Sequence, residues 1–254
     1  MTVGVWGKSD LDEALENLSI VNGDIVFLHS NIGFSGICNE KNPAAIVVEG
    51  ILEQIGSKGN LFLPAFTYSF PEGRIFDSSN SSEASAMGAL SIYAETHGFQ
   101  KSRDPIFGVL GKGQGVQELF RSQANRSFGP SSLFSKLLDL NVKMVSINAG
   151  AGGTIVHEME YRFSVPYRFE KQFRGKVQDP ESKAIVELDW ISYVRDLTNP
   201  STEADFLNLT KLLYGKAIWK KTPLGKGYLS CANSLAVFDC VSKAMNDNPR
   251  LLLR

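Results

Sequence analysis

Apolar positions along the first third of the chain recur with two different periods. Leu11, Ala14, Leu15 and Leu18 follow the three- and four-residue spacing of an amphipathic helix, and Ser9 with Asp12 three residues on marks a capped start. Asn22-Gly23-Asp24 then turns the chain into the unbroken apolar run Ile25-Val26-Phe27-Leu28, a buried strand by length, which ends at His29-Ser30. After the loop 31–36, Pro43 stands in the first turn of a helix whose Ala44, Val47, Val48, Ile51, Leu52 and Ile55 form one stripe. Gly56 and Gly59 stop that helix, and Leu61-Phe62-Leu63 reads as the next buried strand. Strand, helix and strand within about 40 residues make a βαβ-sized unit.

The pattern continues less regularly. Residues 71–83 are dominated by serine, glycine and charge, and read as a long loop. Helical spacing returns at 90–96, 116–120 and 133–138, and 142–147 is a further central strand that feeds the turn Asn148-Ala149-Gly150-Ala151-Gly152-Gly153. Residues 185–194 alternate apolar and polar through Val186, Leu188, Trp190 and Ser192, a strand with one wet face, and 204–213 and 235–245 are closing helices. No internal repeat, low-complexity tract or linker interrupts the series, so residues 1–254 read as a single α/β domain.

Composition narrows the function classes. With 254 residues and 43% hydrophobic content the chain can bury a large core. Lys+Arg at 26 against Asp+Glu at 27 argues against a broad electrostatic grip on nucleic acid or an anionic membrane, while leaving room for a local basic pocket. Cys38, Cys231 and Cys240 are odd in number and lack a C-x-x-C pair, which suggests reduced thiols and neither a disulfide framework nor a zinc site. Residues 1–10 carry Lys8 and Asp10 without an apolar stretch of signal-peptide length, and no segment holds the roughly 20 apolar residues of a membrane span. The expectation is a soluble cytoplasmic protein.

The sharpest candidate for chemistry is His157, one of three histidines, directly behind the glycine turn in Thr154-Ile155-Val156-His157-Glu158-Met159-Glu160. Imidazole takes a proton near neutral pH, and Glu160 at i+3 shares its helix face, whereas Glu158 points elsewhere. Thr154 is placed to cap that helix, whose free amides would favour negative charge. From spacing alone a tight turn with a surface ion pair is equally good. HExxH is absent, because position 161 is Tyr, and the glycines complete neither a Rossmann nor a P-loop fingerprint. A second candidate is the strand exit His29-Ser30-Asn31-Ile32-Gly33, whose backbone can hold a phosphate or a cofactor amide; a plain loop, with His29 a hydrogen-bonded core residue, is the alternative. A third is Thr67, whose hydroxyl could donate to a carbonyl gaining charge, against the commoner reading of a turn residue. His97, before Gly98, reads as a cap or surface residue.

Taken in order, these pieces resemble the aminoglycoside 3-N-acetyltransferase family over most of residues 10–175. The strongest part runs from Ser132-Leu133-Phe134 through Thr154-x-x-His157-x-x-Glu160 to Val165-Pro166-Tyr167-Arg168; residues 24–33 and 59–67 resemble the family's earlier strands, and Gly88 and Leu90 a later helix start. Asn31, Ala65, Lys101 and Asp104 depart from the family's usual serine, threonine, arginine and histidine, and Gly108 stands near its usual serine. The run 165–175 resembles the branch associated with surface-polysaccharide sugar biosynthesis.

The resemblance implies a layered sandwich with a central mixed sheet flanked by helices, acetyl-CoA as co-substrate without a metal, and a primary amine of an amino sugar as acceptor. It makes His157 the general base, Glu160 its orienting acid, and Thr67 or a backbone amide of the glycine turn the carbonyl donor. Ser30, Asn31, Ile32 and Gly33 become candidate cofactor contacts, with Lys101, Ser102 and Arg103 for phosphate. The expected acceptor is a nucleotide-linked sugar for cell-surface glycans, with an aminoglycoside antibiotic second; no nucleic-acid or membrane partner is expected, and a homo-oligomer is open. From a different class, a metal-dependent hydrolase would use His157, Glu160 and His29 or Asp104, and a CoA- or glycan-binding protein without activity is the remaining rival.

Overall fold

The computed structural model describes residues 4–67, 69–77, 87–179 and 182–254. Three parallel strands form the centre of a seven-stranded mixed sheet, with β2 (Ile25–Ser30) between β4 (Asn60–Pro64) and β8 (Lys143–Ile147). On the β4 side, β7 (Val109–Gly113) and β6 (Gln100–Lys101) add antiparallel; on the β8 side, β12 (Gly227–Asn233) and β11 (Lys220–Leu224) do the same. The unbroken apolar runs are explained by this placement, because central strands are covered on both faces.

Alternation along those strands divides the core into two layers. Val26, Leu28, Leu61, Leu63, Val145 and Ile147 face α1 (Lys8–Asn17), α2 (Pro43–Ile55) and α3 (Ala89–Thr96). Phe27, Phe62, Met144 and Ala232 face the other layer, built from α4 (Val116–Arg121), α5 (Leu133–Asp139), α6 (Ile155–Arg162), α7 (Leu207–Gly215) and α8 (Ser234–Asp247). This is the expected sandwich, including the predicted βαβ unit β2-α2-β4. Outside it, β9 (Arg168–Gln178) and β10 (Ile185–Arg195) make a long antiparallel hairpin, joined by β5 (Phe76–Asp77), with Trp190 packed between Phe70 and Phe76. β1 (Val5–Trp6) and β3 (Ile37–Cys38) form a two-residue parallel pair.

Some boundaries differ from expectation for local reasons. α1 begins earlier, because the Gly7 amide donates to Asp10 Oδ2 at 2.8 Å while Asp12 pairs with Lys8 at 2.9 Å. Asn42 caps α2 by accepting from the Ala45 amide at 3.2 Å. α7 starts at Leu207, not 204, since Asp205 takes the Leu207 amide and Ala204 bridges to Leu253. Within the predicted loop 71–83, Phe76–Asp77 is a strand, and 78–83 lie outside the described residues. Among the described residues no helix is long and apolar enough to cross a membrane.

Candidate active site

Because β2, β4 and β8 are parallel, their carboxyl ends open on one edge, where open α/β sheets bind ligands. His29-Ser30, the chain from Pro64 to Thr67 and the glycine turn all leave the sheet there. The turn is held by Asn148, itself left-handed at φ 54°, whose side chain accepts from the Tyr228 amide and donates to Ser35 Oγ, each at 2.8 Å. Gly150 is left-handed as well, at φ 73°. A side chain at Gly152 would lie 2.4 Å from the Phe206 ring, so only glycine lets that ring close on the turn.

The turn delivers α6 against His29. Thr154 does not cap the helix with its side chain; its hydroxyl lies 3.2 Å from His29 Nε2, and its amide donates to the same nitrogen at 3.4 Å. An Nε2 that accepts from an amide carries no proton, so the His29 tautomer is protonated at Nδ1. Burial and the neighbouring His157 hold its pKa down to about 4, and it is neutral at physiological pH.

One turn on, His157 Nδ1 lies 2.6 Å from Glu160 Oε2, and that same oxygen lies 2.7 Å from Arg168 Nε. Glu160 is fully buried, and burial alone would raise its pKa; His157 and Arg168 outweigh that and hold it below the usual carboxylate range. The His157 pKa is lowered by burial first, then by Arg168 and Arg195, against the opposing pull of Glu160. With Nδ1–H donating to the carboxylate, the lone pair of Nε2 is left to accept a proton. Phe128, Phe107 and Phe206 surround the ring at centroid distances of 5.7, 6.3 and 6.1 Å, and the imidazole keeps 18% of its surface exposed. Tyr167 stands beside Glu160, its hydroxyl pKa raised by burial and by that charge. Glu158 is turned away into the fold, where it accepts from the Gly129 amide at 2.7 Å and pairs with Arg162 at 3.0 Å.

The other sequence candidates separate. Ser30 to Gly33 adjoin the glycine turn: the Asn31 amide donates to Ile147 at 2.8 Å, Ser30 Oγ is buried without a hydrogen-bond partner, and the space around Gly33 is open. Thr67 reaches the same edge, but its hydroxyl donates to the Pro105 carbonyl and its amide to Ile106, so its proton is already spent. Lys101 ends β6, with Ser102 directly after it, three strands from β2 and roughly 14 Å away at about 4.8 Å per strand. Ser102 Oγ accepts from the Val109 amide, and Lys101 Nζ sits 3.9 Å from Glu95 and over the Phe76 ring. Arg103 is exposed. His97 ends α3, stacked on Tyr93. Among the described residues no three His, Cys, Asp or Glu side chains converge as a metal-binding group. Arg168, Arg195, the aromatic wall and the His29–Thr154 contact were not legible as site features in the sequence; the only signal was Arg168 at the end of Val-Pro-Tyr-Arg.

Residues 27–246 match the family model described as aminoglycoside 3-N-acetyltransferase. A comparison with curated proteins finds no match. Among solved structures, the chain superposes on the aminoglycoside acetyltransferase AAC(3)-Xa with a TM-score of 0.80 at 16% identity, covering 99% of this chain and 95% of that one. AAC-IIIb, solved as a binary complex with CoASH, gives 0.79 at 14% identity over 96% and 97%. The YokD protein from Bacillus subtilis gives 0.78 at 15% over 95% and 99%.

Proposed function

Since the chain belongs to the aminoglycoside 3-N-acetyltransferase family and is thereby a CoA-dependent N-acyltransferase, we propose that it acetylates a primary amine of an amino sugar, with His157 as general base. The observation that carries this is the buried chain Arg168–Glu160–His157, which leaves one imidazole nitrogen unprotonated at the sheet edge.

A protonated amine has no lone pair to attack with. His157 Nε2 takes the proton, before attack or as the new amide nitrogen sheds it, and Glu160 fixes the tautomer and balances the imidazolium. Bound acetyl-CoA supplies the electrophilic thioester: the amine nitrogen bonds to its carbonyl carbon, the C–S bond breaks, and CoA leaves as a thiolate that takes up the proton held by His157. Ser30 to Gly33 hold its arm, and amides of the glycine turn polarise its carbonyl, a role open to backbone donors because Thr67 is engaged by Pro105. The phenyl rings of Phe107, Phe128 and Phe206 exclude water around the base.

The acceptor we favour is a nucleotide-linked amino sugar of cell-surface glycan synthesis. The run 165–175 supports it over an aminoglycoside antibiotic. The metal-hydrolase reading is weakened by engagement of its ligands: His29 Nε2 takes the Thr154 amide proton and Glu160 is held by Arg168. Thiol release from acetyl-CoA, measured in parallel with nucleotide-linked amino sugars and with aminoglycosides, tests donor and acceptor together. Tight CoA binding with no thiol release across the panel would replace transfer with a binding role.

A further inference from the structure

The hairpin β9–β10 places two arginines side by side at its base. Arg168 and Arg195 are cross-strand partners, so their side chains leave the same face of the sheet with Cβ atoms about 5 Å apart. That face looks at the catalytic imidazole: Arg168 Nη2 lies 3.1 Å from His157 Nδ1, and Arg168 Nη1 donates to the Tyr193 carbonyl at 3.3 Å. Arg195 also lies close enough to His157 to oppose its protonation.

The charges on this face do not cancel. Glu160 is matched by Arg168 at 2.7 Å, and Glu170, on the same face opposite Tyr193, is matched by Arg126. Nearby Asp104 is spent on the amides of Ile106 and Phe107, each at 2.8 Å, and Asp205 on the amide of Leu207 at 2.8 Å. Asp196, next in the chain, accepts from the Thr198 amide and hydroxyl. Among the described residues no carboxylate pairs with half-buried Arg195, which is the one guanidinium left over beside the base.

We infer that Arg195 is a specificity residue that binds an anionic group of the acceptor, a phosphate or a carboxylate, while the acceptor amine faces His157. This rests on the acyltransfer reading and sharpens it. A guanidinium offers two parallel donors to such an oxyanion, and its charge rejects a polycation presented to the same base. The acceptor is therefore an amino sugar that carries negative charge.

The test compares acceptors that differ in charge: glucosamine, its phosphate ester, UDP-glucosamine and gentamicin. Calorimetric binding to the wild-type protein and to Arg195→Gln and Arg195→Lys is measured first, in the presence of CoA. Phosphorylated acceptors should bind more tightly than glucosamine and gentamicin. That advantage should fall about tenfold or more in Arg195→Gln and return in part in Arg195→Lys. Thiol release is then followed with the same four acceptors, and the loss should lie in KM. Equal losses for charged and uncharged acceptors, or tighter binding of gentamicin than of the phosphorylated sugars, would overturn the role of Arg195. Charge-dependent binding without thiol release would instead count against acyl transfer and leave Arg195 standing.

Discussion

His29 Nε2 lies 3.2 Å from the Thr154 hydroxyl across a sequence separation of 125 residues, tying the end of β2 to the first turn of the helix that carries His157. The Thr154 amide donates to the same nitrogen at 3.4 Å, and that bond requires a neutral ring. The folded-state pKa of about 4 is below the ordinary 6.5, so as pH falls the unfolded chain protonates first. The stability from this group is complete above about pH 6.5 and is lost as pH drops towards 4. His29→Gln keeps an acceptor for the Thr154 amide and cannot titrate, so its melting temperature should fall less steeply across this window. His157, also lowered, supplies the residual slope. Parallel melting curves for the wild type and variant would show that His29 does not titrate as described.

The rate should have its own pH dependence. The proposed base, His157, works only when neutral, and burial with Arg168 and Arg195 lowers its pKa, so the rising limb of kcat/KM should lie below the ordinary histidine range. Removing a cation relieves that effect, and Arg168→Gln should move the limb to higher pH. Glu160→Gln removes the opposing pull and should move it lower while reducing the plateau. His157→Ala should lose roughly 100- to 10,000-fold in turnover with CoA affinity retained. Steady-state profiles decide: if the limb stays in place in both charge variants, another group controls it.

What the sequence showed of this arrangement followed from local periodicity. α2 was visible as a stripe from Ala44 to Ile55, β4 and β8 as apolar runs, and the His157–Glu160 contact as an i, i+3 spacing that needs only a helix. β9 was not visible, because Phe169 to Gln172 are all exposed and the alternation of half-buried and exposed positions begins only at Phe173. Thr154 looked like a cap because such residues usually are; a tertiary partner, His29, took the hydroxyl instead. The surplus charge at Arg195 depends on which carboxylates find other partners, a property of the folded hairpin alone.

The Arg168–Glu160 pair also supports the fold. Glu160 is fully buried and Arg168 has 7% of its side chain exposed, so removing one leaves the other charged and dry. Breaking such a pair typically costs about 3–5 kcal/mol. Glu160→Gln should therefore lower stability as well as rate, whereas His157→Ala, which leaves the ion pair intact, should lower rate with a much smaller loss. Urea denaturation of both variants checks this, and equal destabilisation would mean the ion pair is not the dominant contribution.

Asp104 offers a change in the opposite direction. It is 2% exposed, and burial raises its pKa to about 6 despite hydrogen bonds from the Ile106 amide, the Ser127 side chain and the Phe107 amide. A carboxyl raised above its ordinary 3.8 binds its proton more tightly folded than unfolded, so stability falls as pH rises through the interval from 3.8 to about 6 and stays reduced above it. Asp104→Asn keeps an oxygen for the two amides, each 2.8 Å from Oδ1, and removes the charge. Its melting temperature should exceed that of the wild type at pH 8, by about 2–4 °C for each kcal/mol recovered, and the gain should vanish near pH 4. Because the same turn carries Phe107 against His157, turnover should be retained if the amides stay bound. A variant less stable than the wild type at pH 8 would mean that the ionised carboxylate, held by those amides, is worth more to the fold than its burial costs.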